Sequence, residues 1–213
     1  MKSKQRATVS CHTGMMKILV TAFDAFGGEE INPTERALDR LPDEIGGAQI
    51  IKHPVPTVFG EALKQAIAVA EKENVDAVVC LGQAGGRGHI TPERVGINLA
   101  DASIPDNAGN QPSDEPVVEG GPAAYFSTLP VKAMVAAIQE AEIPAQVSTT
   151  AGTFVCNHLL YGLLHHFKDT QVKAGFIHVP FIKEQNKENS PMLELTDVVQ
   201  GVERAISAVA KSA

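Results

Sequence analysis

The sequence predicts a three-layer α/β/α protein in which a mostly parallel central sheet carries one inserted excursion of hairpin and loops. Two observations predict this fold class. Short apolar runs rich in Val and Ile alternate along the chain with segments of helical periodicity. These runs are apolar almost throughout, which is typical of strands that helices cover on both faces. The proline-rich residues 90–125 interrupt the alternation and indicate the excursion.

Five apolar segments are the candidate strands of the sheet. They are KILVTAF (17–23), AQIIKHPV (48–55), DAVVCLG (76–82), PAQVSTT (144–150) and KAGFIHV (173–179). Parallel strands need a crossover connection, and helical segments lie between these runs. The order therefore predicts an open parallel sheet with helices on both faces.

The helix starts follow from capping residues. Asn32 before Pro33 is typical of an N-cap with proline at the first helical position. Thr57 precedes the helical pattern VFGEALKQAIAVAEKEN, and Pro130 precedes VKAMVAAIQEAE. Thr196 is the predicted cap of the last helix, DVVQGVERAISAVAKSA.

The first 15 residues differ in composition from the rest of the chain. They are polar and mixed, whereas a buried strand begins abruptly after them. We expect residues 1–15 to form a disordered N-terminal extension and residues 16–213 to form a single α/β domain.

Charge and cysteine content exclude several classes of function. Lys and Arg number 18 against 25 Asp and Glu, a formal net charge of −7, so we expect neither nucleic acid nor membrane as a partner. Three cysteines in 213 residues do not make a disulfide framework, and they indicate a reducing compartment, the cytoplasm. No apolar run approaches the roughly 20 residues of a membrane span.

Candidate chemistry lies where the predicted strands end, because ligands of an open α/β sheet bind at its carboxyl edge. Four segments follow strands in this way. They are FDAFGG (23–28), GQAGGRG (82–88), TAGTFVCNH (150–158) and HVPF (178–181). We expect the functional residues in these segments and in the excursion.

Cys156 is the candidate nucleophile among the three cysteines. It opens an amphipathic helical segment, CNHLLYGLL, after a glycine-containing turn. A thiol in the first turn of a helix faces unpaired N–H groups and the positive end of the dipole, and both favour thiolate. A packing role is the alternative that the residues leave open. Cys11 precedes the fold, and Cys80 falls within an apolar strand, where an inert buried thiol is expected.

A nucleophilic cysteine needs a base, and His178 is the best-placed histidine. It lies at the carboxyl end of the strand that follows the Cys156 helix, whereas His158 is two residues from Cys156 and does not face it. A structural histidine is the alternative. A third polar group usually orients such a base, and the residues alone do not choose among four carboxylates. These are Asp24, Glu93, Asp101 and Asp106.

The glycine-rich segment GQAGGRG raises the alternative of a phosphate or nucleotide site. It lacks the Lys-Ser/Thr of a P-loop and the glycine spacing of a dinucleotide-binding turn. We expect no cofactor. We also expect no metal, because the chain has neither an HExxH motif nor a cysteine pair at zinc spacing.

The sequence resembles the pyrrolidone-carboxylate peptidase (pyroglutamyl peptidase type I) family of cysteine peptidases, which have an α/β/α fold. The main matching segments are LVTAFDAFGGEEINPT (19–34), GQAGGRGHITPERVGIN (82–98), TAGTFVCNHLLYGLLH (150–165) and GFIHVPFI (175–182). PTVF, IPDNAGNQP and GGPAAYF also resemble the family. The resemblance runs in order from about residue 16 to residue 182.

This resemblance implies an omega-peptidase that removes an N-terminal pyroglutamyl (5-oxoprolyl) residue from peptides. It implies a triad in which Cys156 is the nucleophile, His178 the base and Glu93 the acidic member. The pyroglutamyl group is a compact neutral lactam, so aromatic walls and a few amide partners suffice to bind it. The implied pocket residues are Phe23, Phe26, Asn32, Gln83 and Phe154.

Two positions depart from the family pattern. Ala25 stands where the family usually has Pro, and Ser103 where an arginine commonly precedes IPDN. If that arginine tunes the charge around the nucleophile, Ser103 predicts reduced or altered activity. A catalytically weak or silent small-ligand binding protein on the same scaffold is therefore the alternative function.

The resemblance also implies an intracellular homo-oligomer, a tetramer. Exposed apolar residues in the proline-rich excursion are candidates for its interface. We expect a hairpin around residues 115–119 to contribute to assembly.

Overall fold

Strands and helices alternate along residues 14–212, the part of the chain that this computed structural model describes. The strands are β1 (Lys17–Phe23), β2 (Glu44–Ile45), β3 (Ala48–Val55), β4 (Ala77–Gln83), β5 (Thr91–Pro92), β6 (Val95–Ile97), β7 (Ala124–Phe126), β8 (Lys173–Val179), β9 (Phe181–Ile182) and β10 (Met192–Leu193). The helices are α1 (Pro33–Arg40), α2 (Glu61–Glu73), α3 (Val131–Gln139), α4 (Val155–Phe167) and α5 (Leu195–Ala210), with a 3-10 turn at Lys183–Gln185.

The central sheet has six strands in the order β2-β3-β1-β4-β8-β5. Strands β3, β1, β4 and β8 are parallel, while β2 and β5 pair antiparallel at the two edges. The register places Gly82 of β4 opposite His178 of β8, and Thr91 of β5 opposite the same histidine. The predicted mostly parallel α/β fold is confirmed.

Two apolar cores lie on opposite faces of the sheet, because successive side chains of a strand point to opposite faces. In β4, Leu81 joins the core against α1, α3 and α5, whereas Cys80 joins the core against α2 and α4. Helices thus cover both faces. This arrangement leaves the carboxyl ends of the parallel strands as one shared edge, where the loops after β1, β4 and β8 meet.

The predicted strand at residues 144–150 is wrong. This segment makes only isolated parallel bridges to the chain around β5, at Ala145 with Ile90 and at Ser148 with Glu93. Pro92 lies between these bridges and has no N–H to donate, so the ladder is interrupted there. The segment nevertheless positions Glu93 beside the sheet.

Two helix starts also differ from the prediction. Helix α2 begins at Glu61, not after Thr57, because Gly60 has a φ of +74° and stands outside the helix as its cap. Helix α5 begins at Leu195, with the extended residue Glu194 as its cap, so Thr196 lies inside the helix. Helix α1 begins as predicted, with Asn32 as its N-cap.

The excursion pairs β6 with β7 in an antiparallel two-stranded sheet, and residues 98–123 form the long loop between them. The hairpin expected around residues 115–119 is therefore misplaced. There, Glu115 makes a single antiparallel bridge to Ala100. The Asn98 side chain holds the ends of the loop together through hydrogen bonds with Val118 and Gly121, so local polar contacts replace strand pairing.

Of the predicted N-terminal extension, residues 1–13 lie outside the described residues. Met15, which is described, is exposed. Within residues 14–212, no helix combines the length and the apolar character required to cross a membrane.

Candidate active site

Cys156 lies at the carboxyl edge of the sheet, as the second residue of α4. Phe154 is the N-cap of this helix, and its side chain makes no capping hydrogen bond. The Cys156 thiol packs against Gly82 at the end of β4. A Cβ placed on Gly82 would lie 3.1 Å from the sulfur and 2.7 Å from the Phe176 ring. Glycine at this position therefore lets the helix bring the thiol close to the strand.

His178 and Glu93 form a buried hydrogen-bonded pair, and His178 pairs with Gly82 in the sheet. Nδ1 of His178 lies 2.7 Å from Oε1 of Glu93, and the two side chains are 4% and 0% exposed. The carboxylate accepts the Nδ1–H, which fixes the imidazole tautomer. Nε2 is left without a hydrogen-bond partner among residues 14–212. The arrangement offers an unprotonated ring nitrogen at the edge of the sheet.

Arg87 is a functional candidate that the sequence reasoning missed. Its Nη1 lies 2.7 Å from the same Oε1 of Glu93 and 2.7 Å from Oγ1 of Thr91. Its Nη2 donates to the carbonyl oxygen of Thr150 at 2.8 Å. The available signal was an arginine inside GQAGGRG, six residues before Glu93, one of the four candidate carboxylates. A buried carboxylate usually has a cationic partner.

The pKa values of the histidine and the carboxylate are consistent with neutral imidazole beside ionised carboxylate. Burial raises the pKa of Glu93, but hydrogen bonds from His178, Ser148 and Arg87 outweigh it and lower the pKa below its ordinary value. Burial lowers the pKa of His178, and Arg87 lowers it further, against the opposing effect of Glu93. A neutral imidazole can accept a proton.

Burial dominates the pKa of Cys156. Burial raises it to about 12, and the negative charge of Glu93 acts in the same direction, against a smaller lowering by Arg87. Burial thus opposes the effect predicted from the helix terminus, whereas the backbone hydrogen bond at Cys156 acts in the predicted direction. Although Cys156 as a residue is only half-buried, protein atoms crowd its sulfur. Burial also raises the pKa of Cys80 to about 12.

The four carboxylates named from the sequence occupy different environments. Asp24, Asp101 and Asp106 each accept hydrogen bonds from backbone N–H groups of neighbouring loops. Of the four, Glu93 alone contacts His178.

Aromatic side chains cluster beside the start of α4. The ring of Phe154 lies 6.0 Å from that of Phe26 and 5.3 Å from that of Phe59. Phe23 is more deeply placed, in the core with its ring 6.3 Å from Phe176. Phe59 was not among the predicted pocket residues, although it ends the PTVF segment that resembles the family.

The two predicted amide partners have different neighbours. Oδ1 of Asn32 accepts from the N–H of Thr34 at 3.0 Å, and its Nδ2 donates to the carbonyl oxygen of Asp24, so this amide is engaged within the protein. Oε1 of Gln83 accepts from Gln185 at 2.7 Å, while Nε2 of Gln83 has no partner among the described residues. The substrate roles of both residues stay predictions.

The glycine-rich segment brings the backbone close to side chains. A Cβ on Gly85 would lie 2.3 Å from the Phe181 ring. Gly82 is in the same situation, because a Cβ there would crowd the Cys156 sulfur. Across residues 14–212, no group of three His, Cys, Asp or Glu side chains is arranged to hold a metal ion.

Solved structures with the same architecture define the class of protein, an α/β peptidase. Pyroglutamyl peptidase I from Bacillus amyloliquefaciens superposes with a TM-score of 0.88 at 47% identity, covering 92% of this chain and 97% of that chain. A mutant pyrrolidone carboxyl peptidase from Pyrococcus furiosus superposes with a TM-score of 0.88 at 40% identity, covering 92% and 99%.

Sequence comparison defines the family. The pyroglutamyl peptidase family model matches residues 16–212. Pyrrolidone-carboxylate peptidase 1 of Caldanaerobacter subterraneus subsp. tengcongensis is 51% identical over 201 residues, which are 92% of this chain and 99% of that protein. Pyrrolidone-carboxylate peptidase of Alkaliphilus oremlandii is 53% identical over 197 residues, covering 91% and 92%. The chain belongs to the pyroglutamyl peptidase family, and the predicted enzyme class, pyroglutamyl peptidase I, is confirmed.

Proposed function

We propose that this protein is a thiol omega-peptidase that removes an N-terminal pyroglutamyl residue from peptides. Family membership supports the substrate class. In the proposed triad, Cys156 is the nucleophile, His178 is the general base and Glu93 orients the imidazole. The observation that carries these roles is the buried 2.7 Å contact between His178 and Glu93, which leaves Nε2 unbonded on the strand next to Gly82, where the thiol packs.

In the acylation step, Sγ of Cys156 attacks the carbonyl carbon that joins pyroglutamate to the next residue. Nε2 of His178 takes the thiol proton as the C–S bond forms. The tetrahedral intermediate then breaks its C–N bond, and the imidazolium returns the proton to the leaving amine. The products of this step are a thioester on Cys156 and the shortened peptide. Glu93 stabilises the imidazolium between the two transfers.

In the deacylation step, water attacks the thioester carbonyl while Nε2 of His178 takes its proton. The C–S bond breaks, pyroglutamate leaves, and Cys156 regains a proton from the imidazolium. No cofactor is needed for either step, because the proton moves only between the sulfur, the imidazole, the amine and water.

The start of α4 supplies donors for the negative charge on the carbonyl oxygen. In an α-helix, the first N–H groups have no intrahelical acceptor, and the Phe154 side chain does not cap them here. The N–H groups of residues 155–157 are therefore the candidate oxyanion hole. Loss of one such donor typically costs about 10²–10³-fold in kcat.

The high pKa of Cys156 supports a thiol that stays neutral until substrate binds. His178 is neutral as well, so proton transfer accompanies attack instead of preceding it. The same pKa, together with the exposed Ser103, favours the second candidate function, a small-ligand binding protein with weak or no turnover. Turnover of a pyroglutamyl peptide discriminates between the two.

The aromatic cluster supports recognition of the lactam ring. We place the ring near Phe26 and Phe154, with Phe23, Asn32 and Gln83 as the other pocket residues, according to the family resemblance. The ring is neutral, so it needs no charged anchor, and its carbonyl and N–H distinguish it from proline.

We further propose a cytoplasmic homotetramer. Phe126 on β7 is 74% exposed, which supports an interface on the excursion. Light scattering of Phe126→Lys should give a lower mass than wild type, whereas Phe126→Leu should assemble normally. An unchanged mass for the lysine variant would contradict this interface.

The proposed function is tested by product analysis. Purified protein is incubated with a pyroglutamyl peptide and, separately, with the same peptide beginning with proline. The released first residue and the shortened peptide are quantified by mass spectrometry. We expect release of pyroglutamate and of one shortened peptide, with the prolyl peptide intact. Binding of the pyroglutamyl peptide without cleavage would overturn the peptidase proposal in favour of the binding protein.

A further inference from the structure

Gln185, which the sequence analysis did not single out, contacts the candidate pocket residue Gln83. It ends the 3-10 turn after β9, and its Nε2 lies 2.7 Å from Oε1 of Gln83. Its Oε1 accepts a hydrogen bond from the backbone N–H of Ile182 at 3.0 Å. Nε2 also lies 3.5 Å from the carbonyl oxygen of Ile31. Both ends of the Gln185 amide thus have partners inside the protein.

These partners allow the Gln185 amide only one orientation. A backbone N–H can only donate and a backbone carbonyl can only accept, so the side-chain oxygen must face Ile182 and the NH₂ group must face Ile31. Gln185 therefore presents an N–H to Gln83. Gln83 must accept this hydrogen bond through Oε1, so its own NH₂ group points away from Gln185. That NH₂ group has no hydrogen-bond partner among residues 14–212.

The turn that carries Gln185 is anchored at both ends. Lys183 pairs with Glu194, and Nζ of Lys187 lies 2.6 Å from Oε1 of Glu29. Glu29 belongs to the loop after β1, which also carries Phe26. The ion pair between Lys187 and Glu29 therefore links the turn to the loop that carries Phe26. A side chain held in this way loses little conformational freedom when a ligand binds.

We infer that Gln185 is a positioning residue that makes Gln83 a hydrogen-bond donor only toward the substrate. The contacts from the Ile182 N–H through Gln185 to Gln83 are here named the amide relay. This inference rests on the proposed function, because it takes the pyroglutamyl ring as the ligand. Gln83 directly follows Gly82, against which the Cys156 thiol packs, so it stands at the same edge of the sheet as the candidate nucleophile.

The amide relay gives selectivity for the lactam over proline. The ring carbonyl of a pyroglutamyl group accepts a hydrogen bond, whereas a prolyl ring offers none. A prolyl substrate would leave a donor of Gln83 unpaired, which is how sites built for a polar group reject analogues without it. An amide free to turn by 180° would present oxygen as easily as NH₂ and would lose this discrimination.

The test compares Gln185→Glu with Gln185→Met on a fluorogenic pyroglutamyl amide. The glutamate substitution places an oxygen against Gln83, so Gln83 must turn and present its own oxygen to the ring carbonyl. The methionine substitution only removes the constraint. We expect kcat/KM to fall about 10- to 100-fold for Gln185→Glu, mostly through KM, and only a few-fold for Gln185→Met.

Two controls separate positioning from general damage. Gln171→Glu adds the same charge at an exposed glutamine before β8, and we expect wild-type kinetics. In a Gln83→Met background, the two Gln185 substitutions should have equal effects, because the group they orient is gone. Thermal unfolding of every variant confirms that the compared proteins are folded.

Each outcome decides the inference. A larger KM for Gln185→Glu than for Gln185→Met, with the difference lost in the Gln83→Met background, supports the amide relay. Equal losses in the two variants, or losses in kcat alone, would overturn it while wild-type cleavage leaves the proposed function intact. A folded wild type that does not cleave the pyroglutamyl amide would overturn the proposed function and the amide relay together.

Discussion

The Nδ1 atom of His178 lies 2.7 Å from Oε1 of Glu93, and both side chains are enclosed by the protein. A histidine at the end of one strand thus meets a carboxylate 85 positions earlier in the chain. The contact fixes which ring nitrogen carries the proton and leaves the other free at the sheet edge. The contact therefore leaves Nε2 of His178 able to accept a proton.

Replacing the carboxylate by its amide should slow the chemical step. In Glu93→Gln, the side chain no longer stabilises an imidazolium, and the amide NH₂ favours the wrong imidazole tautomer. We expect kcat to fall roughly 10²- to 10⁴-fold with a smaller change in KM. Steady-state kinetics measure the effect, with Asp101→Asn as a control carboxylate at an exposed loop. A Glu93→Gln variant that is folded and fully active would exclude an orienting role.

Replacing Arg87 by an uncharged residue should shift the pH dependence of kcat/KM. The charge of Arg87 lowers the pKa of His178, so Arg87→Met should raise that pKa. The base is active when neutral, and the acid limb of kcat/KM should therefore shift to higher pH. Arg87→Lys keeps the charge and should shift it less. An acid limb that does not move in Arg87→Met would show that Arg87 does not influence the base.

An added cation at position 103 should increase turnover. The thiol pKa of Cys156 is raised to about 12 chiefly by burial, and a nearby positive charge favours thiolate. Ser103→Arg should raise kcat and should make alkylation by iodoacetamide faster at neutral pH. Ser103→Gln is the matched neutral control. Unchanged or lower turnover in the arginine variant would count against a role for charge at this position.

The apolar runs were sufficient to predict the four parallel strands of the sheet, although not its edge strands β2 and β5. Strands β1, β3, β4 and β8 lie where the apolar runs predicted them. Strands β1, β4 and β8 are buried almost throughout because helices cover both of their faces, whereas β3 keeps Gln49 and Pro54 exposed. The predicted strand at residues 144–150 failed for a reason outside its own sequence. Its partner segment contains Pro92, which cannot donate to the ladder, and pairing partners are not visible in a local pattern.

The candidate site could be predicted only in part. Cys156 and His178 followed from their positions at a helix start and a strand end. Arg87 and Phe59 did not, because their importance lies in contacts with residues distant along the chain. The burial that raises the thiol pKa was also not predictable, since a helix terminus is visible in the sequence whereas the packing around the sulfur is not.

The central claim is that Cys156 is the nucleophile of a pyroglutamyl-specific peptidase. Its most direct test is release of a fluorescent amine from a pyroglutamyl amide by wild type, Cys156→Ala and Cys80→Ala, with the matching prolyl amide as substrate control. We predict cleavage of the pyroglutamyl amide alone, abolished by Cys156→Ala and retained in the folded Cys80→Ala variant. Cleavage that persists in Cys156→Ala would contradict the claim.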